Sequence, residues 1–263
     1  MANSLLAAGA SPAMVSSEEE AGDFARAHST AVLINLGTLS PAGLAGQHAA
    51  VDGAVAAGKP WILDPVACGA TPYRTAAAVA LARKGPALVR GNASEVASLA
   101  AAVCGAASGL AGGGTVRGVD STLASADAAA AALAAELRTV VAVSGAVDTV
   151  VTPDRRALRV HGGVPMLTDI TATGCAVTAL CAAAIGAAWS GGEKGVAHTA
   201  VAAAAALAAM GVAAERAVAV GVHGPASLRV GLVDALAQLG RGGGKDDGLG
   251  SVVVEEADLE EAR

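Results

Sequence analysis

Aromatic residues are nearly missing from this chain of 263 residues: two Trp, one Tyr and one Phe, or 2%. Hydrophobic residues still make up 54%, so the core has to be built from Ala, Val and Leu, in helices that approach closely. A basic excess is missing too. The formal net charge of −6 gives no electrostatic footprint for nucleic acid. The four cysteines (Cys68, Cys104, Cys175, Cys181) have no CxxC or Cys/His ligand spacing, which argues against a disulfide framework or zinc site and fits a reducing compartment. No apolar run combines the length and bulk of a membrane span; the richest, 201–210, is mostly alanine. No basic region precedes an apolar stretch at the N-terminus, so no secretory signal is read and a soluble, cytoplasmic protein is expected, with no membrane partner. There is no GxxxxGK[ST], which excludes a P-loop kinase, and no strand-to-helix GxGxxG, which argues against dinucleotide binding.

What is present is alternation. Short apolar runs at 31–36 (AVLINL), 61–64 (WILD), 87–90 (ALVR) and 140–144 (VVAVS) read as buried strands. Helical patterns lie between and around them at 17–27, 42–58, 75–84, 94–103 and 126–137. Parallel strands need long crossovers, so the expected fold class is α/β, a mostly parallel central sheet with helices on both faces. The runs 149–152 and 157–160 flank Pro153-Asp154-Arg155 and read as an antiparallel hairpin on the sheet edge. The remainder is helical: 176–189, 196–220 and 226–239. One domain is expected over 1–239. The glycine-rich stretch 105–118 is expected to be mobile, and the Gly/acidic tail 240–263 disordered.

Chemistry in such a sheet gathers beyond the carboxyl ends of the strands. Asp64 closes one strand, Arg90 another, with Asn92, Ser94 and Glu95 in the turn that follows; Ser144 ends a third, with Asp148 close behind. Asp64 and Glu95 are candidate magnesium carboxylates, acting through water, and Arg90 and Ser144 are candidate polyphosphate contacts. Each also has a structural reading. Asp64 before Pro can fix a turn, Glu95 can be a first-turn helix charge, and Asn92 or Ser94 can cap the helix. In TDITATGCAVTAL, 168–180, a turn runs into Thr173-Gly174-Cys175 at the mouth of a long Ala-rich helix. The free N–H groups there form a phosphate cradle over 171–175, and their field is expected to lower the pKa of Cys175.

Taken in order, LLAAGASPAMVSSEEE (5–20), INLGTL (34–39), LDPVACGATPYR (63–74), RGNASEV (90–96), RGVDS (117–121), VSGAVD (143–148), HGGVPMLT (161–168) and ATGCAVTA (172–179) resemble the hydroxyethylthiazole kinase family. The resemblance runs through residue 239. It implies a ribokinase-like three-layer sandwich that uses MgATP to phosphorylate the hydroxyl of 4-methyl-5-(2-hydroxyethyl)thiazole in thiamine salvage. It further implies that Met14 contacts the thiazole and that Arg90, Ser144 and Gly174 contact ATP. Asp64 and Glu95 match the acids near Mg²⁺, and Cys175 the active-site cysteine. A homotrimer with its sites between subunits is implied as well.

Two departures stand out. Ala172 replaces the family's substrate-contacting glycine, and the chain begins inside a helix motif, so a preceding helix and strand of the family are expected to be missing. Three other readings remain open: a kinase of another small alcohol such as hydroxymethylpyrimidine, a compromised nucleotide-binding homologue, and a thiol hydrolase pairing Cys175 with His161 or His198.

Overall fold

The structure, a computed structural model, describes residues 1–105, 119–241 and 252–259. Helix α1 (Ala2–Ala7) and α2 (Glu18–His28) lead into β1 (Val32–Asn35), α3 (Pro41–Ala56), β2 (Trp61–Asp64), α4 (Pro72–Ala82), β3 (Leu88–Asn92) and α5 (Ala93–Cys104). Then come α6 (Val119–Leu137), β4 (Val140–Ser144), β5 (Asp148–Val151), β6 (Arg156–Val160) and a 3-10 turn at Pro165–Asp169. Helices α7 (Thr173–Ser190), α8 (Val196–Ala219) and α9 (Pro225–Arg241) precede a last strand, β7 (Val254–Asp258).

The strands form one seven-stranded sheet in chain order. β1 to β4 are parallel and β4 to β7 antiparallel. Alternation of side chains across the pleat divides the core in two. Trp61, Leu63, Val89, Val141 and Val143 pack beneath α3 to α6, with Val51, Leu81, Leu99 and Leu133. Ile62, Leu88, Val140 and Ala142 face the opposite layer, with Leu180 of α7, Leu207 of α8 and Leu236 of α9. The helix starts are local chemistry. Ser40 Oγ accepts from Gly43 N at 3.1 Å and Thr71 Oγ1 from Arg74 N at 3.2 Å, each followed by a proline at the first helical position. Glycines let α2 and α3 touch: a Cβ on Gly53 would lie 2.1 Å from the carbonyl oxygen of Gly22.

Three expectations need correction. The tail is not wholly disordered, since β7 pairs with β6 and displaces the β5–β6 hairpin from the sheet edge. The pairing places acid against base: Arg156 Nη2 lies 3.5 Å from Glu256 Oε2, and His161 Nε2 lies 3.3 Å from Glu255 Oε2. Two helices, α7 and α8, have the length and hydropathy of a membrane span, but 50% and 61% of their most apolar windows is buried in the fold. Helix α7 begins three residues earlier than read, so Gly174 and Cys175 lie in its first turn. Residues 106–118, expected to be mobile, and most of the tail lie outside the described residues.

Candidate active site

Asp64 stands at the carboxyl tip of β2, only 2% exposed. Its Oδ2 accepts two hydrogen bonds of 2.8 Å, from Asn35 Nδ2 at the tip of β1 and from Thr178 Oγ1 on α7. Burial pushes its pKa up to about 6, against the pull of the Arg90 guanidinium and these two donors; Glu95 adds a further upward push. Asp64 is therefore ionised at neutral pH, though only by a small margin. Its partner in charge, Arg90 on β3, is also buried, at 6% exposed, and its Nε has no hydrogen-bond partner among the described residues.

Arg90 lies against the mouth of α7. A Cβ on Gly174 would come within 2.8 Å of Arg90 Nη1, so a side chain there would displace the guanidinium from this close approach. The first i→i−4 bond of the helix runs from Ala176 N to the Ala172 carbonyl at 2.9 Å, leaving the N–H groups of Thr173, Gly174 and Cys175 ahead of it. Thr173 Oγ1 donates to the Ile170 carbonyl at 2.8 Å and ties the turn down. Ala172 adopts φ +63°, a left-handed conformation that suits glycine far better than a residue with a Cβ.

The structural reading of Glu95 is seen directly. It sits at the third position of α5, where its Oε2 accepts from Asn92 N at 2.9 Å while Asn92 Oδ1 accepts from Glu95 N at 2.9 Å. That reciprocal pair is a capping box. Its Oε1 accepts from Ala67 N at 2.8 Å and holds a turn in which Ala67 has φ +57°. Glu95 therefore shapes the loop after Asp64 as well as placing charge beside it. Ser144, half-buried at the tip of β4, pairs with Asn92 in the sheet register, two positions beyond the Arg90↔Ala142 pair. Asp148 closes the following turn by accepting from Gly145 N at 3.0 Å, and Arg90 draws on its half-buried carboxylate too.

For Cys175 one expectation is overturned. Its pKa is raised, chiefly by burial and further by the charges of Asp64 and Glu95, with Asn35 and Arg90 pulling the other way. Desolvation and two carboxylates set the direction, so Cys175 is a thiol at neutral pH. Among the described residues no imidazole contributes to its electrostatics. His161 faces Glu255 of β7, and His198 Nδ1 sits 3.1 Å from the Lys194 carbonyl, which removes the basis for a thiol hydrolase. Met14, in the segment before α2, is 74% exposed. Sequence reading passed over Asn35 and Thr178. Both carried a signal: Asn35 is the polar end of an otherwise apolar strand, and Thr178 falls one helical turn beyond Gly174 and Cys175 on the same face.

An α/β sheet whose parallel strand tips gather an acid and a buried arginine around the mouth of a core helix defines a phosphate-handling enzyme of ribokinase-like fold. The hydroxyethylthiazole kinase family model matches residues 1–241, and the chain belongs to that family. The hydroxyethylthiazole kinase of Rhizobium rhizogenes is 46% identical over 242 residues, spanning 90% of this chain and 82% of the relative. That of Zea mays is 48% identical over 238 residues, spanning 89% and 78%. A solved hydroxyethylthiazole kinase structure from Pyrococcus horikoshii OT3 superposes with a TM-score of 0.79 at 32% identity, covering 98% of this chain and 88% of that one.

Proposed function

We propose that this chain transfers the γ-phosphoryl group of ATP to the hydroxyl of 4-methyl-5-(2-hydroxyethyl)thiazole, at the mouth of α7. The observation that carries this reading is the buried Arg90, one nitrogen unpartnered, lying against Gly174 where the helix leaves its N–H groups free. Arg90 and Ser144 hold the phosphates of the nucleotide. The N–H groups of Gly174 and Cys175 donate to the charge that develops on the transferred group. Cys175, protonated at working pH, orients the substrate hydroxyl and does not remove its proton, and a loose transition state needs little from a base.

The donor set fits a hydrated magnesium ion. Asp64 offers Oδ1, which no hydrogen bond from the described residues reaches, whereas both oxygens of Glu95 already accept backbone N–H groups. Among the described residues no group of three His, Cys, Asp or Glu forms a cage, which is the usual arrangement where water and phosphates complete the coordination. Asp64 would hold the ion directly or through water and Glu95 through water; bound magnesium supplies charge neutralisation on the phosphates.

The exposure of Met14 supports a site completed by a neighbouring copy, in a homotrimer working in the cytoplasm where ATP is supplied. A second reading, phosphorylation of another small alcohol such as hydroxymethylpyrimidine, is favoured by the methyl group and fixed backbone of Ala172 at the substrate end of the helix mouth. Incubation with MgATP and the thiazole, monitoring ADP and thiazole phosphate together, tests the first. Nucleotide binding with turnover only of a different alcohol would replace it with the second.

A further inference from the structure

Asp64 is held in an unusual way for a carboxylate at a strand tip. Two donors from separate elements converge on the same oxygen, and neither reaches the other one. Asn35 comes from the neighbouring strand, in register with Asp64 itself. Thr178 comes across the sheet from α7 and is completely buried. Its hydroxyl has one proton and two acceptors in range, Asp64 Oδ2 at 2.8 Å and the Gly174 carbonyl at 3.1 Å. The shorter contact to the charged acceptor takes it.

The orientation of the Asn35 amide is not free either. Gly37 N donates to Asn35 Oδ1 at 2.9 Å, which fixes the oxygen on that side and turns the NH₂ toward Asp64. A side chain on Gly37 would press on that amide: an added Cβ would lie 2.8 Å from Asn35 Oδ1, so the amide would have to shift. Arg74 of α4 secures the same loop, donating to the carbonyls of Leu36 and Gly37 and, at 3.1 Å, to that of Val66 beyond Asp64. Two loops and a helix are thus tied around one carboxylate oxygen.

We propose that Asn35 and Thr178 are positioning residues that grip Asp64 by Oδ2 and leave Oδ1 as the one face it presents to the bound nucleotide. This rests on the reading of Asp64 as the acid of the phosphoryl-transfer site. Donors divided between the two oxygens would leave one lone pair on each, and a carboxylate with no donor would rotate; with both donors on Oδ2, the lone pairs of Oδ1 stay together on one fixed oxygen. Gly37 is part of the device, because its N–H sets the amide and its missing side chain makes room for it.

The test is steady-state kinetics with MgATP and the thiazole, alongside thermal unfolding, on Thr178→Val, Thr178→Ser, Gly37→Ala and Asp64→Asn. Thr178→Val keeps the shape and removes the donor; it should lower kcat roughly 10- to 100-fold, with KM for ATP within about threefold of the parent. Thr178→Ser, which restores a hydroxyl, should bring kcat back to within about threefold. Gly37→Ala, which leaves Thr178 untouched, should lower kcat in the same sense. Parental kcat in both Thr178→Val and Gly37→Ala, with Asp64→Asn inactive, would overturn the positioning role and leave the site reading standing. Equal loss in Thr178→Val and Thr178→Ser, with a lower Tm in both, would overturn it in favour of a packing role. Full activity in Asp64→Asn would overturn the site reading itself.

Discussion

Burying an ionised carboxylate at the tip of β2 works against the fold, and two hydrogen bonds and one guanidinium only partly offset it. The pKa of Asp64 rises from 3.8 to about 6 on folding. Between those values the native state binds the extra proton, so stability is fully present below the unfolded pKa and is lost as pH rises through the native one. The full window corresponds to about 3 kcal/mol at pH above 7. Asp64→Asn keeps an oxygen for Asn35 and Thr178 and removes the buried charge. It should raise unfolding free energy at pH 8 by about 1–3 kcal/mol, and the gain should vanish at pH 4, where the native aspartate is already neutral. The same change should abolish turnover. Calorimetry at the two pH values decides it; a stability gain equal at both would mean that the charge is not the cause. Ala172 carries strain of another kind, in its backbone. Its φ of +63° predicts that Ala172→Gly stabilises the protein by about 1 kcal/mol, and the smaller residue should lower KM for the thiazole. A lower Tm would show that the Cβ makes packing contacts worth more than the strain.

At the scale of elements, legibility followed burial. The runs at 61–64 and 140–144 stood out because both faces of those strands are covered, which leaves continuous apolar sequence. The tips of β2, β3 and β4 were legible for the opposite reason, a polar residue ending an apolar run. Sequence starts α7 too late, because Thr173 and Gly174 look like turn residues, and the Arg90 guanidinium packed against Gly174 is not visible in it. β7 was missed since an edge strand held by backbone pairing and surface charge needs no apolar pattern. The pKa of Cys175 was misjudged because sequence displays the helix end but not the carboxylates that topology brings beside it. The contact of α2 with α3 was equally hidden, and it makes a sharp prediction. Gly53→Ala places a Cβ 2.1 Å from backbone oxygen, which cannot swing away, so the helices must part. A loss of about 2–3 kcal/mol is expected in chemical denaturation. Gly191→Ala, whose new Cβ would meet nothing nearer than 3.4 Å in a right-handed turn, should be close to neutral. Equal effects in the two variants would dismiss close approach as the reason for glycine at 53.

On the scale of the whole molecule, the single chain supplies the acid, the arginine and the helix mouth on one edge of the sheet, and the proposed trimer would add to them. Met14 lies 74% exposed in the segment before α2, and a lone exposed methionine makes a poor wall for a small apolar ring. In the proposed trimer that wall belongs to the neighbour's site, so each centre takes Met14 from one copy and Asp64 and Cys175 from the next. Such sharing has an arithmetic consequence. Met14→Asp and Asp64→Asn should each be nearly inactive alone. Dissociated, mixed in equal amounts and reassembled, they produce random trimers in which a site is intact only when an undamaged Met14 meets an undamaged Asp64. Both conditions hold at about one interface in four, so activity should return to about a quarter of the parent value. Sites built within one chain would give no recovery at all, because every copy would carry one lesion. Recovery without mixing, in either variant alone, would remove that residue from the centre.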